Sequence, residues 1–231
     1  FHDKMSAGLT YTGVTGITLN GTAVDASNYE VKTEAADLED TNPCTFHVVF
    51  TQAFCDTLKA NDQIVISYTA TVNKDAVVAG EGNENKSWLK YGEDSDYSTT
   101  PSETKTYTWD VDVFKYTMDG ETEKPLAGAK FTLSKKADGT DPIALVNEGN
   151  NVYRVATADD TDTVTEITTD ATGKFTIKGL DSDTYYLTET AAPAGYNKVA
   201  GSITVVIDDQ GNTKVDGNVV NEVKVLNQSG S

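Results

Sequence analysis

Apolar and polar residues alternate with a period of two along most of the chain, the pattern of half-buried β-strands. In the first hundred residues it marks "TGITLNGTAV", where Ile17 and Leu19 precede an "NGT" turn, then "TFHVVFT", "DQIVISYTATV" and "KSWLKYG". "QAFCDTLKA", between the second and third of these, reads as a short helix. "GEDSDYSTTPSETK" is polar and turn-rich, contains Pro101, and closes one β unit. The long alternating run "TYTWDVDVFKYT" opens the next. That unit continues through "AGAKFTLSKK", "DPIALV", "NVYRVAT", "TEITTDATGKFTIKGL", "DTYYLTET", "GSITVVID" and "NVVNEVKVLNQ". Short strands separated by Gly, Asp and Asn turns at these intervals are typical of β-sandwiches. No long amphipathic helix interrupts them. The expected fold is all-β, with two domains in tandem over residues 1–105 and 106–231.

Three of the runs put polar groups where the pattern demands apolar ones. Val111, Val113, Lys115 and Thr117 share a strand face, and the valines mark it as the buried one. Tyr185, Leu187 and Glu189 share another. In "NVVNEVKVLNQ", the residues Val219, Asn221, Val223, Val225 and Asn227 share a third. Lysine and glutamate are almost never fully buried without a partner. Desolvation favours the neutral amine of a lysine and the neutral acid of a carboxyl. A neutral amine can attack a carboxamide carbon while an acid polarises the amide oxygen and shuttles protons. Ammonia leaves and an amide bond remains, a single-turnover reaction that needs proximity and acid–base help but no cofactor.

Composition narrows the classes. The chain has 231 residues, 38% of them hydrophobic, and a net charge of −18, which repels nucleic acid. No segment approaches the roughly 18 apolar residues of a membrane span. The opening "FHDKMSAGLTY" is not a signal peptide, so the chain is expected to be a piece of something longer. The two histidines, His2 and His47, sit in no recognisable catalytic setting, and GxSxG, HExxH, P-loop and GxGxxG motifs are absent. Asp159, Asp160 and Asp162 in "ADDTDT" could offer oxygen ligands to calcium, but they lack the EF-hand spacing and read as a solvated loop; "DSD" at Asp181–Asp183 reads as a turn. Cys44 and Cys55 are too few for a cysteine-rich metal site; they are a disulfide pair or two thiols. No metal and no cofactor are expected, and no enzyme beyond the self-directed reaction.

"KPLAGAKFTLSK" and "YYLTETAAPAGYN" resemble the collagen-adhesin B-type domain of Gram-positive surface proteins. More specifically, the segment from Trp109 to Ser231 resembles the C-terminal domain of sortase-assembled pilin backbone subunits. The resemblance implies an immunoglobulin-like β-sandwich in which Lys115 and an asparagine of the last strand form an isopeptide bond with Glu189 as catalyst. "VLNQSGS" makes that asparagine Asn227, with Asn221 as the alternative. The first domain is similar to the preceding domain of the same pilins, through "HDKMSAGLTYTG" and "AGEGNENKSWLKYG". That implies Asp3 as the acid and Asn85, or alternatively Asn83, as the amide partner. The matching lysine strand would precede Phe1, so this domain is expected to be truncated.

What the resemblance implies for function is a structural shaft subunit of a covalently assembled pilus, extracellular and anchored to a Gram-positive cell wall. Its expected partners are other pilin subunits, linked through sortase, and host matrix or cell-surface ligands. The alternative is a stalk or ligand-binding region of a cell-wall-anchored adhesin or minor pilin.

Overall fold

The computed structural model describes residues 1–33, 44–92 and 97–230; residues 93–96 of the polar stretch lie outside them. The chain divides into two compact units. One comprises Phe1–Val77 and Glu81–Thr106, the other Val78–Gly80 and Tyr107–Ser231.

In the first unit a five-stranded antiparallel sheet runs in the order Ser102–Thr106, Asn83–Trp88, His2–Met5, Phe46–Phe50, Tyr29–Lys32. A second sheet joins Thr22–Ala23, Leu9–Leu19 and Ile64–Val72. Met5, Ile17, Phe46 and Val48 form the buried core. Tyr11 and Tyr68 pack on Phe46 with ring centroids 4.3 and 4.9 Å away. Gln52–Cys55 is the expected short helix, capped by Thr51, whose hydroxyl accepts from the Phe54 amide. Ser102–Thr106 departs from the sequence reading. It is a strand, not a turn-rich closure, but every residue in it is exposed. An edge strand with neither face buried carries no alternation to read.

The second unit has two six-stranded sheets. One runs Thr122–Pro125, Trp109–Asp119, Lys174–Leu180, Val152–Val155, Leu145–Gly149, with Val223–Leu226 also paired to Trp109–Asp119. The other runs Ile167–Thr168, Lys130–Ser134, Asp183–Ala191, Ser202–Ile207, Thr213–Val215, Asn218–Val219. Val111, Val113, Phe131, Leu133, Phe175, Ile177, Tyr185, Leu187, Val223 and Val225 are among the residues of one shared core. The first and last strands are parallel neighbours, Lys115 opposite Val225 and Tyr116 opposite Leu226. Sequence neighbours cannot pair this way, so a parallel pair at the two ends closes the whole unit.

The last apolar run is not one strand. Asn218–Val219 is a hairpin partner of Thr213–Val215 in the second sheet, and Val223–Leu226 lies in the first. Between them the chain bends at Asn221 and Glu222. Val219 and Asn221 are therefore exposed, while Val223, Val225 and Asn227 are buried.

Gly173 shows how closely the Lys115 strand is held. It has φ +65°, and its carbonyl accepts from the Lys115 amide at 2.7 Å. A Cβ there would lie 2.3 Å from the Lys115 carbonyl oxygen and 3.1 Å from the Leu126 nitrogen. Both are backbone atoms that cannot rotate away. Gly173→Ala is expected to destabilise the second unit by more than the ~1 kcal/mol of a positive-φ alanine alone, seen as a lower denaturation midpoint in urea.

Candidate functional site

Lys115, Glu189 and Asn227 meet in the second unit. The alternation in Trp109–Asp119 turns Val111, Val113 and Lys115 inward, and that in Asp183–Ala191 turns Tyr185, Leu187 and Glu189 inward from the facing sheet. Lys115 and Asn227 are 0% exposed and Glu189 2%. Lys115 Nζ lies 3.3 Å from Glu189 Oε1 and donates to the Val225 carbonyl at 3.2 Å. Glu189 Oε2 accepts from Asn227 Nδ2 at 2.9 Å and from the Val199 amide at 2.6 Å. The Asn227 backbone N–H donates to the Tyr116 carbonyl at 3.0 Å, which fixes the residue beside the Lys115 strand. The Phe131 ring lies 5.9 Å from Lys115 Nζ and walls the site with apolar surface.

Burial pushes the Lys115 amine below the usual lysine range, opposed in part by the charge and hydrogen bond of Glu189. The Asn227 Oδ1 atom is buried and makes no hydrogen bond among the described residues. An unpaired buried carbonyl oxygen costs on the order of 1–3 kcal/mol. The arrangement thus holds a nucleophile, a proton carrier and an amide together in a site closed to water. Asn221, the alternative amide, is exposed at the bend and is not part of the site.

In the first unit Asp3 and Asn85 also meet. Asp3 is 0% exposed, and its Oδ2 accepts from Tyr68 Oη at 2.6 Å and Asn85 Nδ2 at 2.9 Å. Asn85 Nδ2 also donates to Tyr68 Oη at 3.0 Å. Asp3 Oδ1 and Asn85 Oδ1 are buried with no hydrogen bond among the described residues. Asn83 is elsewhere. Its amide accepts from the Val77 nitrogen and donates to the Val77 and Thr106 carbonyls. It lies directly over Gly8, where a Cβ would sit 2.2 Å from Asn83 Oδ1. Asn83 is thus a clamp on Gly8 and the neighbouring loop, with its hydrogen-bonding groups already used. Tyr68 was not singled out in the sequence, although Ile64, Ile66 and Tyr68 share a strand face and the tyrosine is the one polar group there.

Desolvation holds the Asp3 carboxyl above its ordinary 3.8, although the Tyr68 and Asn85 hydrogen bonds pull the other way. The Tyr68 hydroxyl is pushed up to about 12, by burial and then by its bond to Asp3. A raised folded-state value means that the native state holds the Asp3 proton more tightly than the unfolded chain. That stability is fully present below pH 3.8 and is lost as pH rises through the folded value. Asp3→Asn is expected to raise the melting temperature of the first unit at pH 7. At pH 3.5 it should leave stability unchanged to within about 0.5 kcal/mol; calorimetry at the two pH values checks this.

The other candidates resolve as follows. Cys44 and Cys55 are thiols, not a disulfide. Cys55 is exposed at the end of its helix, whereas Cys44 is buried with Sγ 3.7 Å from His2 Nδ1 and 3.9 Å from His47 Nδ1. In the acidic loop, Asp160 takes both Arg154 terminal nitrogens at 2.7 Å and the Thr157 amide at 2.8 Å. Those bonds hold its carboxyl well below the usual carboxylate range. No helix among the described residues is long and apolar enough to cross a membrane.

Residues 112–221 match the SpaA family of prealbumin-like fold domains, a span that includes Lys115 and Glu189 and stops before Asn227. No curated protein sequence matches the chain. Several solved structures are similar in fold. The pilus 2b backbone protein of group B streptococcus has 23% identity and a TM-score of 0.62, covering 100% of this chain and 84% of that one. The 35 kDa C-terminal fragment of the major pilin GBS80 of Streptococcus agalactiae has 22% identity and a TM-score of 0.62, covering 98% and 85%. The pilus backbone RrgB of Streptococcus pneumoniae has 15% identity and a TM-score of 0.60, covering 98% and 88%.

Proposed function

We propose that this chain, with a SpaA-type prealbumin-like domain and the fold of Gram-positive pilus backbone proteins, is part of a covalently assembled pilus shaft whose second unit is locked by a Lys115–Asn227 isopeptide bond. The observation that carries the reading is Glu189 bridging the two reactants, Oε1 on Lys115 Nζ and Oε2 on Asn227 Nδ2, with all three side chains buried. Lys115, deprotonated, attacks Asn227 Cγ. Glu189 takes a proton from the attacking nitrogen through one oxygen and passes it to the leaving nitrogen through the other. The Cγ–Nδ2 bond breaks, the Nζ–Cγ bond remains and ammonia departs. The effective molarity of groups held in place supplies the drive, with the low local polarity favouring the neutral amine.

The bond suits a load-bearing role. Force entering at the first strand and leaving after the last loads their parallel pairing in shear. A covalent link from Lys115 to Asn227 takes that load before the hydrogen bonds do. In the first unit, Asp3, Asn85 and Tyr68 hold a buried carboxyl and an amide together in the way an equivalent bond requires. Sortase linkage of subunits, cell-wall anchoring and contact with host ligands follow from the same reading.

Single-molecule extension tests it. Pulled from its two ends, the second unit should contribute almost none of the roughly 40 nm that about 110 unfolded residues would release. The first unit should still unfold. A full-length extension of the second unit at modest force would overturn the load-bearing claim.

A further inference from the structure

We infer that His2, Cys44 and His47 form a binding site for a single zinc-class divalent ion on the first unit. His2 and His47 face each other directly across the antiparallel pair of His2–Met5 and Phe46–Phe50. The period of two sends Asp3, Phe46 and Val48 into the core, so His2 and His47 share the opposite face of the sheet. Cys44, three residues before His47, brings its Sγ to 3.7 Å from His2 Nδ1 and 3.9 Å from His47 Nδ1. The three ligand atoms all lie within 4.8 Å of one another.

The two sulfur–nitrogen separations approach those of a metal site. With Zn–S of about 2.3 Å and Zn–N of about 2.0–2.1 Å, a tetrahedral ion spaces sulfur and nitrogen ligands about 3.6 Å apart. Closing the two sulfur–nitrogen separations to that value takes a few tenths of an ångström, and the imidazole nitrogens, within 4.8 Å of each other, close to the about 3.4 Å that two Zn–N bonds span. The rings are already oriented. His2 is stacked on Trp88 at 5.5 Å and 8°, and His47 meets His2 edge-on at 5.2 Å and 66°. Cys44 is 9% exposed and His47 5%, whereas His2 is half-buried. An ion can enter on the His2 side, the more exposed of the three ligands. Thiolate with imidazole selects zinc or its spectroscopic substitute cobalt over magnesium and calcium, which require oxygen ligands.

The bound ion would tie the strand that carries Asp3 to its neighbour, directly behind the Asp3–Asn85–Tyr68 cluster. It would clip the first unit by coordination in the place where the second unit has a covalent candidate.

The test is cobalt(II) titration of the untagged, metal-stripped full chain, followed by zinc displacement. One equivalent should bind, with a sulfur-to-cobalt charge-transfer band and the strong visible bands of tetrahedral cobalt. Zinc should displace it and raise the melting temperature of the first unit alone. Cys44→Ser should abolish the charge-transfer band and weaken binding beyond the ~100-fold seen when only a supporting neighbour is lost. Cys55→Ser should change nothing. His2→Gln, at the solvent side, keeps the test open if Cys44→Ser fails to fold: it should remain folded and bind at least tenfold more weakly. Absence of saturable one-to-one binding overturns the site, as does a charge-transfer band surviving in folded Cys44→Ser or unchanged affinity in His2→Gln. The short contacts would then be thiol–imidazole hydrogen bonds only.

Discussion

Asn227→Ala is expected to lower the melting temperature of the second unit by roughly 15–20 °C while leaving it folded. Lys115 and Val225, whose carbonyl it contacts, are 110 residues apart, so a Lys115–Asn227 bond closes a loop of about that length. Treated like a disulfide, such closure contributes on the order of 4–5 kcal/mol through the unfolded chain. For a unit of this size each kcal/mol moves the midpoint by about 4 °C. Removing the asparagine leaves the Lys115–Glu189 ion pair in place, so no buried charge is stranded. It also removes the unpaired Oδ1 atom, which offsets a little of the loss. Asn221→Ala is the control. Exposed at the bend, it should stay within about 0.5 kcal/mol of the parent. Differential scanning calorimetry of the three proteins reads all of this. A midpoint for Asn227→Ala within two or three degrees of the parent would mean that no bond contributes to its stability.

Glu189→Ala is expected to have the larger effect, because it removes the proton carrier and strands a charge. Without the bond, Lys115 stays in a wholly buried position, and its one carboxylate partner among the described residues is gone. Breaking a buried pair this way costs about 3–5 kcal/mol, in addition to the lost cross-link. The sum approaches the whole stability of an ordinary domain, about 5–15 kcal/mol. The second unit of this variant should therefore be largely unfolded or aggregated near 37 °C. The Val199 amide also loses its acceptor. Lys115→Met in the same chain should restore folding without restoring the bond, since it replaces the stranded ammonium by an apolar chain of similar length. Circular dichroism melts of the single and double variants give the comparison. If Glu189→Ala alone folds with parental stability, the ion pair and the catalytic role both fall.

The two inward faces of the second unit were legible because strand alternation is reliable where one face is buried. Val111 and Val113 fix the side on which Lys115 lies, and Tyr185 and Leu187 do the same for Glu189. The last run was read through its own interruption. Val219 and Asn221 keep the parity of Val223 and Val225, yet the chain changes sheets between them. Parity carries no signal of a bend, so the choice between Asn221 and Asn227 rested on resemblance. Ser102–Thr106 was illegible for the opposite reason: it is a strand whose residues are all exposed. The Cys44 contacts were invisible because His2 lies 42 residues away in sequence, and only the sheet register brings the two together. Tyr68 was in plain view on a strand, but nothing local marks a tyrosine as the partner of an aspartate 65 residues earlier.

The most direct measurement is the intact mass of the purified chain together with its digested peptides. With the bond formed, the chain is lighter than its sequence by one ammonia, about 17 Da. A single branched peptide then joins the segment containing Lys115 to the segment containing Asn227. A mass equal to the sequence, with both peptides recovered unlinked, would contradict the proposal at its centre.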